Sequence, residues 1–204
     1  MVHGHLAESQ HEVEYTLKTW GCRPFEWFKR HRLLGKRFYF AHCIHLNEEE
    51  IAQMAETGTG VAHCPISNML LSSGACPVPS YLEHGLTRIG LGVDGAASSN
   101  SSNMLEEIRC AYLLNRLTWG DKAATPDDYL YMATAGGAKV LGRDDIGYLA
   151  PGMAADFAQM DWNQLTYAGG CYDPVACIVE SGDPRLVKNV VVNGELVVSS
   201  GRLT

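Results

Sequence analysis

The sequence predicts an α/β fold built on parallel strands, and two observations carry the prediction. Short apolar runs alternate with stretches of helical periodicity through the first half of the chain. Each of four such runs ends on a polar residue capable of chemistry: His5, His42, His63 and Asp94. Side chains at the carboxyl ends of parallel strands converge on one site in an α/β barrel, so the recurrence predicts where the site lies as well as the layering.

Taken in order, Val2 to Leu6 reads as a strand, and Glu12 to Trp20 and Phe25 to Leu34 carry helical spacing interrupted at Gly21 and Pro24. The aromatic run Arg37 to Ala41 is a second strand. Asn47 with Glu50 forms a capping box ahead of Ile51, Met54 and Ala55, which starts a helix that stops near Gly58. Thr59 to Ala62 is the third strand, Val78 to Leu82 a short helix ended by Gly85, and Leu86 to Val93 the fourth strand, whose glycines permit close backbone approach. Beyond a polar loop at 96–102, Asn103 to Leu117 puts Met104, Ile108, Ala111 and Asn115 on one helical face, with Glu106, Glu107 and Arg109 expected elsewhere. Thr125-Pro126-Asp127-Asp128 is a helix start, and Ala133 to Leu141 a second helical piece. From Gly152 the pattern turns to strands, at Ala155 to Met160, Val187 to Val192 and Glu195 to Val198, the last two joined by a hairpin at Asn193-Gly194. The change sets a boundary near 145–150 and divides the chain into residues 1–148 and 149–204.

Composition narrows the function. With 46% hydrophobic residues among 204, the chain can bury a core. A net charge of −7, with basic residues scattered apart from Lys29-Arg30-His31-Arg32, argues against a nucleic-acid surface. No stretch approaches the roughly 18 apolar residues of a membrane span, and Met1 leads into Val-His-Gly-His rather than a secretion signal, so the expectation is a cytoplasmic, unexported protein without a membrane partner. Its seven cysteines, Cys22, Cys43, Cys64, Cys76, Cys110, Cys171 and Cys177, contain no Cys-x-x-Cys pair and read as reduced, mostly buried thiols.

A hydrolytic metal site needs rigid nitrogen and oxygen ligands, an open position for water, and an acid or base that is not itself a ligand. His5 and Asp94 are suitable ligands, and Glu8 and His42 suitable proton carriers. Glu8, three residues past a strand-end histidine, falls just beyond the strand, near a metal yet free to move toward substrate. His63 either touches substrate or bonds the Ser67-Asn68 turn. His3 shares the strand face of His5, His45 and His84 are expected to be solvated, and Glu106 with Arg109 to form a helix-surface ion pair.

The segments His5-Leu-Ala-Glu8, Ala41-His-Cys-Ile-His-Leu46, His63-Cys-Pro-Ile-Ser-Asn-Met-Leu-Leu-Ser-Ser-Gly74 and Gly92-Val-Asp-Gly-Ala-Ala-Ser-Ser-Asn100 together resemble the amidohydrolase superfamily, in its aminohydrolase branch of nucleobase and triazine deaminases. Ser67-Asn-Met-Leu-Leu71, Gly92-Val-Asp-Gly95 and Ser102-Asn-Met-Leu-Glu-Glu-Ile-Arg109 through Leu113-Leu-Asn-Arg116 are most similar to branch members that act on 8-oxoguanine, and Leu149-Ala-Pro-Gly-Met-Ala-Ala-Asp156 and Val192-Asn-Gly194 fit the family's closing β-sandwich. The resemblance implies the C-terminal half of a TIM-like (β/α)8 barrel, strands 5 to 8, followed by part of a small β-sandwich.

The resemblance further implies roles. His5 corresponds to the fifth-strand metal ligand and Asp94 to the eighth-strand ligand, which also carries a proton to the departing amine. Glu8 corresponds to the proton shuttle to the ring nitrogen, and His42 to the sixth-strand histidine that orients and deprotonates water. One Zn²⁺, alternatively Fe²⁺, is the implied cofactor. The implied reaction is hydrolytic deamination of a small nucleobase-like molecule, foremost 8-oxoguanine to urate and ammonia, with guanine, a pterin or an s-triazine amine as alternatives. The full-length protein is expected to be a homo-oligomer. The family's first-strand His-x-His, source of two further ligands, and the three strands after it have no counterpart, so Met1 is expected to fall midway through a family member. The chain alone is then expected to be inactive or nearly so, or to be a non-catalytic half-barrel retained for interaction.

Overall fold

The computed structural model describes residues 1–170 and 172–204. Four strands, β1 (Val2–Leu6), β2 (Phe38–His42), β3 (Gly60–His63) and β4 (Ile89–Leu91), form one sheet in the order β1-β2-β3-β4. Every pairing is parallel, with Leu6 opposite His42, Ala41 opposite Ala62 and His63 opposite Leu91, so the carboxyl ends line one rim. Parallel neighbours need crossover connections, and helices provide them: α1 (Gln10–Trp20), α2 (Pro24–Arg30), α3 (Glu48–Thr57), α4 (Pro65–Leu70) and α5 (Val78–Glu83). Leu6, Phe40, Val61 and Ile89 of the sheet bury against Phe25, Ile51, Met54 and Tyr81 of these helices.

Local chemistry explains the boundaries. Ser9 caps α1 by accepting from the Glu12 N–H, and Gly21 closes it in the left-handed conformation at φ 66°. The expected capping box of Asn47 and Glu50 opens α3, and Gly58 ends it at φ 68°. Helix α2 stops at Arg30 rather than Leu34, because Arg32 turns to φ 58°. Strand β4 is shorter than Leu86 to Val93, although its glycines serve as expected: a Cβ on Gly90 would stand 2.8 Å from the Gly137 Cα.

After the sheet come α6 (Met104–Trp119) and α7 (Pro126–Tyr131), the latter opened by a capping box of Thr125 and Asp128. The expected second helical piece is a π turn at Met132–Gly136 leading into α8 (Gly137–Val140). Close seating of glycines on β4, a tertiary demand, replaces the regular helix there. Glu107 corrects a further expectation: it lies three residues from Met104 and four from Ala111, on the buried face of α6, and is 0% exposed.

The second sheet is antiparallel, in the order β5 (Phe157–Met160), β6 (Val187–Val192), β7 (Glu195–Ser199) and β8 (Arg202–Leu203). Asn193 and Gly194 at φ 49° and 82° make the expected hairpin turn. Helix α9 (Pro174–Ser181), with Asp173 as its cap, was not anticipated, although Asp-Pro is a helix-start signal. No helix among the described residues is long and apolar enough to cross a membrane.

Candidate metal centre

Three of the four strand ends deliver a donor to one point. Ligand atoms of His5, His42 and Asp94 all lie within 4.8 Å of one another. The His5 and His42 rings stack at 5.3 Å between centroids. His42 is 1% exposed, and its Nδ1 lies 2.8 Å from Asn68 Oδ1, which leaves Nε2 facing Glu8 Oε2 at 3.6 Å. Asp94 Oδ2 accepts from Ser67 Oγ at 2.5 Å and from Ser98 Oγ at 2.8 Å. Burial pulls the Asp94 pKa upward, but the Ser67 and Ser98 hydroxyls and the Gly95 N–H outweigh it, and the carboxyl is held below its ordinary range.

The backbone is bent to make this geometry. Ala7, His42, Cys43 and Asp94 all have positive φ, between 48° and 68°. Left-handed backbone costs a non-glycine residue about 1–2 kcal/mol, and its concentration at strand ends is typical of functional sites. The β1–α1 turn is held by Glu12, whose carboxylate accepts from the N–H groups of Ala7 at 3.2 Å and Glu8 at 2.9 Å. Ser73 Oγ donates to Glu8 Oε1 at 3.4 Å. Two imidazoles and a carboxylate form an N/O donor set suited to Zn²⁺ and its first-row neighbours. A divalent cation fits the chemistry of these residues.

The remaining histidines sort differently. His63 stays off the three-donor cluster and makes no side-chain hydrogen bond to Ser67 or Asn68, which bind Asp94 and His42 instead; its Nδ1 is buried without a partner among the described residues. His3 stacks on Tyr39 at 4.6 Å and is not one of the three donors. His84 pairs with Glu48 at 3.1 Å. His45 corrects the expectation of a solvated side chain, since its Nε2 lies 2.7 Å from the Ser73 carbonyl oxygen and ties down the residue beside Glu8. Glu106 accepts from Ser101 and forms no ion pair with Arg109. Among the described residues Cys22, Cys43, Cys64, Cys76 and Cys110 carry no disulfide, and burial pushes the Cys64 thiol up to about 12, as expected of inert thiols; Cys171 lies outside the described residues.

Sequence reasoning missed the supporting residues Ser67, Asn68, Ser98, Ser73, Glu12 and Glu107. Glu107 accepts from the Ile66 N–H at 3.1 Å and from Ser99 at 3.3 Å, joining the start of α4 to the loop after Asp94. Burial raises its pKa above the usual carboxylate range. A polar Ser-Asn pair in the first turn of the helix after β3 was the available signal for the first two.

Burial also sets a pH response. Desolvation first, and then His42, lower the His63 pKa to about 3. An unfolded histidine takes up a proton near pH 6.5, so between about 6.5 and 3 the unfolded state binds more protons than the folded one. Stability is therefore expected to fall as pH drops through that window, by at most about 1.4 kcal/mol per pH unit from this residue. In denaturant titrations, His63→Asn should flatten the acid limb; an unchanged limb would contradict the assignment.

A family model described as the Amidohydrolase family matches residues 1–197. The chain belongs to the amidohydrolase family. Among its relatives, 8-oxoguanine deaminase of Pseudomonas aeruginosa is 43% identical over 200 residues, covering 98% of the chain and 44% of that protein. A 5-methylthioadenosine/S-adenosylhomocysteine deaminase of Pelotomaculum thermopropionicum is 39% identical over 198 residues, covering 97% and 45%. A Xanthomonas campestris adenosine deaminase solved with bound zinc superposes with TM-score 0.95 at 31% identity, covering 100% of this chain and 46% of that one. The amidohydrolase chain thus spans less than half the length of these relatives.

Proposed function

We propose that this chain supplies one ligand-bearing, proton-carrying half of a metal-dependent hydrolytic aminohydrolase. The observation that carries the reading is the convergence of His5, His42 and Asp94 within 4.8 Å, with Glu8 at 3.6 Å from His42. The preferred reaction is 8-oxoguanine plus water giving urate plus ammonia, supported by 43% identity to a protein named for that activity. Residues 1–148 are assigned to the barrel and 149–204 to a composite β-sandwich, in keeping with the parallel and antiparallel sheets.

His5 and Asp94 would hold a divalent cation, Zn²⁺ or Fe²⁺, with His42 alongside. When bound, such an ion acidifies water and polarises the reacting centre. The chain's own groups manage the two protons of water. His42 orients the water and removes the first, which Glu8 carries to the ring nitrogen beside the amine-bearing carbon. Asp94 passes the second to the departing amine, which leaves as ammonia while the carbon becomes a carbonyl. Ser67 and Ser98 keep the Asp94 carboxylate aimed and ionised for that role.

A second reading, deamination of a 6-aminopurine nucleoside, is favoured by relatives at 39% and 40% identity named for 5-methylthioadenosine/S-adenosylhomocysteine and 5′-deoxyadenosine. Ammonia release measured over 8-oxoguanine, guanine, 5-methylthioadenosine and 5′-deoxyadenosine separates the two, with the chain completed by the portion of the Pseudomonas relative that it does not cover. The highest kcat/KM is expected on 8-oxoguanine. A higher value on the nucleosides would favour the second reading, and no ammonia from any member would remove both.

A further inference from the structure

The ring of His42 can serve the site only in one of its two neutral forms. A neutral imidazole has one N–H donor and one bare acceptor nitrogen, and the partner of one nitrogen decides the state of the other. His42 Nδ1 faces Asn68 Oδ1 at 2.8 Å, and a carbonyl oxygen accepts hydrogen bonds but cannot donate them. Nδ1 therefore carries the hydrogen, and Nε2 presents its lone pair to the rim.

We propose that Asn68 is a positioning residue that locks His42 in the Nδ1–H form, keeping Nε2 bare toward Glu8 and the His5–Asp94 cluster. Both side chains are almost fully buried, at 1% and 0% exposure, so solvent cannot replace the contact; among the described residues the Asn68 Nδ2 has no partner, and Oδ1 is the engaged end of the amide. Asn68 is itself indexed by its neighbour: Ser67, on the same turn of α4, holds Asp94 at 2.5 Å. One helical turn thus orients two of the three converging donors. That turn is anchored from behind by the buried Glu107, which accepts from the Ile66 N–H at 3.1 Å.

The arrangement also explains an otherwise unfavourable approach. With Nε2 bare, it and the Glu8 carboxylate are two acceptors 3.6 Å apart, beside a third in Asp94. Such a group of lone pairs suits a proton or a cation between them. The reverse Asn68 orientation would turn Nδ2 toward His42 and place the hydrogen on Nε2. The nitrogen facing Glu8 would then have no lone pair to take a water proton, and 3.6 Å is too long for a hydrogen bond to the carboxylate. The catalytic consequence rests on the deaminase reading, whereas the tautomer does not.

Nitrogen-15 NMR of histidine-labelled, metal-free chain, at a pH where free imidazole is neutral, reads the tautomer directly. Wild type is expected to show His42 protonated at Nδ1 and bare at Nε2. Asn68→Ala should lose that preference, with the hydrogen shared between Nδ1 and Nε2. Asn68→Asp keeps an acceptor opposite Nδ1 and should retain the tautomer. A hydrogen on Nε2 in the wild type would overturn the proposal, as would a folded Asn68→Ala with an unchanged tautomer. If Asn68→Ala does not fold, the wild-type and Asn68→Asp spectra still decide. Failure of the ammonia assay with the tautomer intact would remove the deaminase reading and leave the role of Asn68 standing.

Discussion

Asp94→Ala is expected to abolish metal binding and turnover together. The carboxylate is one of three converging donors, and two hydroxyls hold it ionised. Removing even the outer partners of metal ligands costs about 10–100-fold in affinity, so loss of a donor itself should exceed that range. In the proposed mechanism Asp94 also delivers the proton to the leaving amine. Zinc competition on Asp94→Ala and Asp94→Asn checks this. Wild-type zinc affinity in either folded variant would exclude Asp94 as a ligand.

Glu8→Gln should separate binding from chemistry. Glu8 faces His42 Nε2 at 3.6 Å and is steadied by Ser73, yet it is not one of the three converging donors. Zinc content is expected to stay at the wild-type level while kcat falls by about 10² to 10⁴-fold, the usual cost of losing a positioned acid or base. Glutamine preserves the size and one acceptor oxygen, so the fall reports on the proton. Full turnover by a zinc-loaded Glu8→Gln protein would withdraw the shuttle role from this residue.

The frame of the fold was legible because it is written locally. The capping boxes at Asn47 and Thr125, the glycine stops at Gly21 and Gly58, and the Asn193-Gly194 turn depend on residues a few positions apart. The place of the site was legible for a related reason, since polar residues recur at the ends of apolar strands. What was not legible depends on partners distant in sequence. Ser67 meets Asp94 across 27 positions, Asn68 meets His42 across 26, and His45 meets Ser73 across 28. Glu107 is expected off the apolar face of its helix, and the partner that draws it inward, Ile66, is 41 positions away. The π turn at Met132–Gly136 answers to the backbone of β4, which no local pattern encodes.

Metal dependence tests the central claim most directly. The protein carrying residues 1–204, completed with the part of a relative that it does not cover, should lose ammonia release from 8-oxoguanine when stripped with a chelator. Activity should return in proportion to added zinc and level off at one ion per site, with urate and ammonia formed in equal amounts. Full turnover by the chelated protein, or stoichiometric zinc binding without ammonia from any amino-purine, would contradict the reading of His5, His42 and Asp94 as a catalytic metal centre.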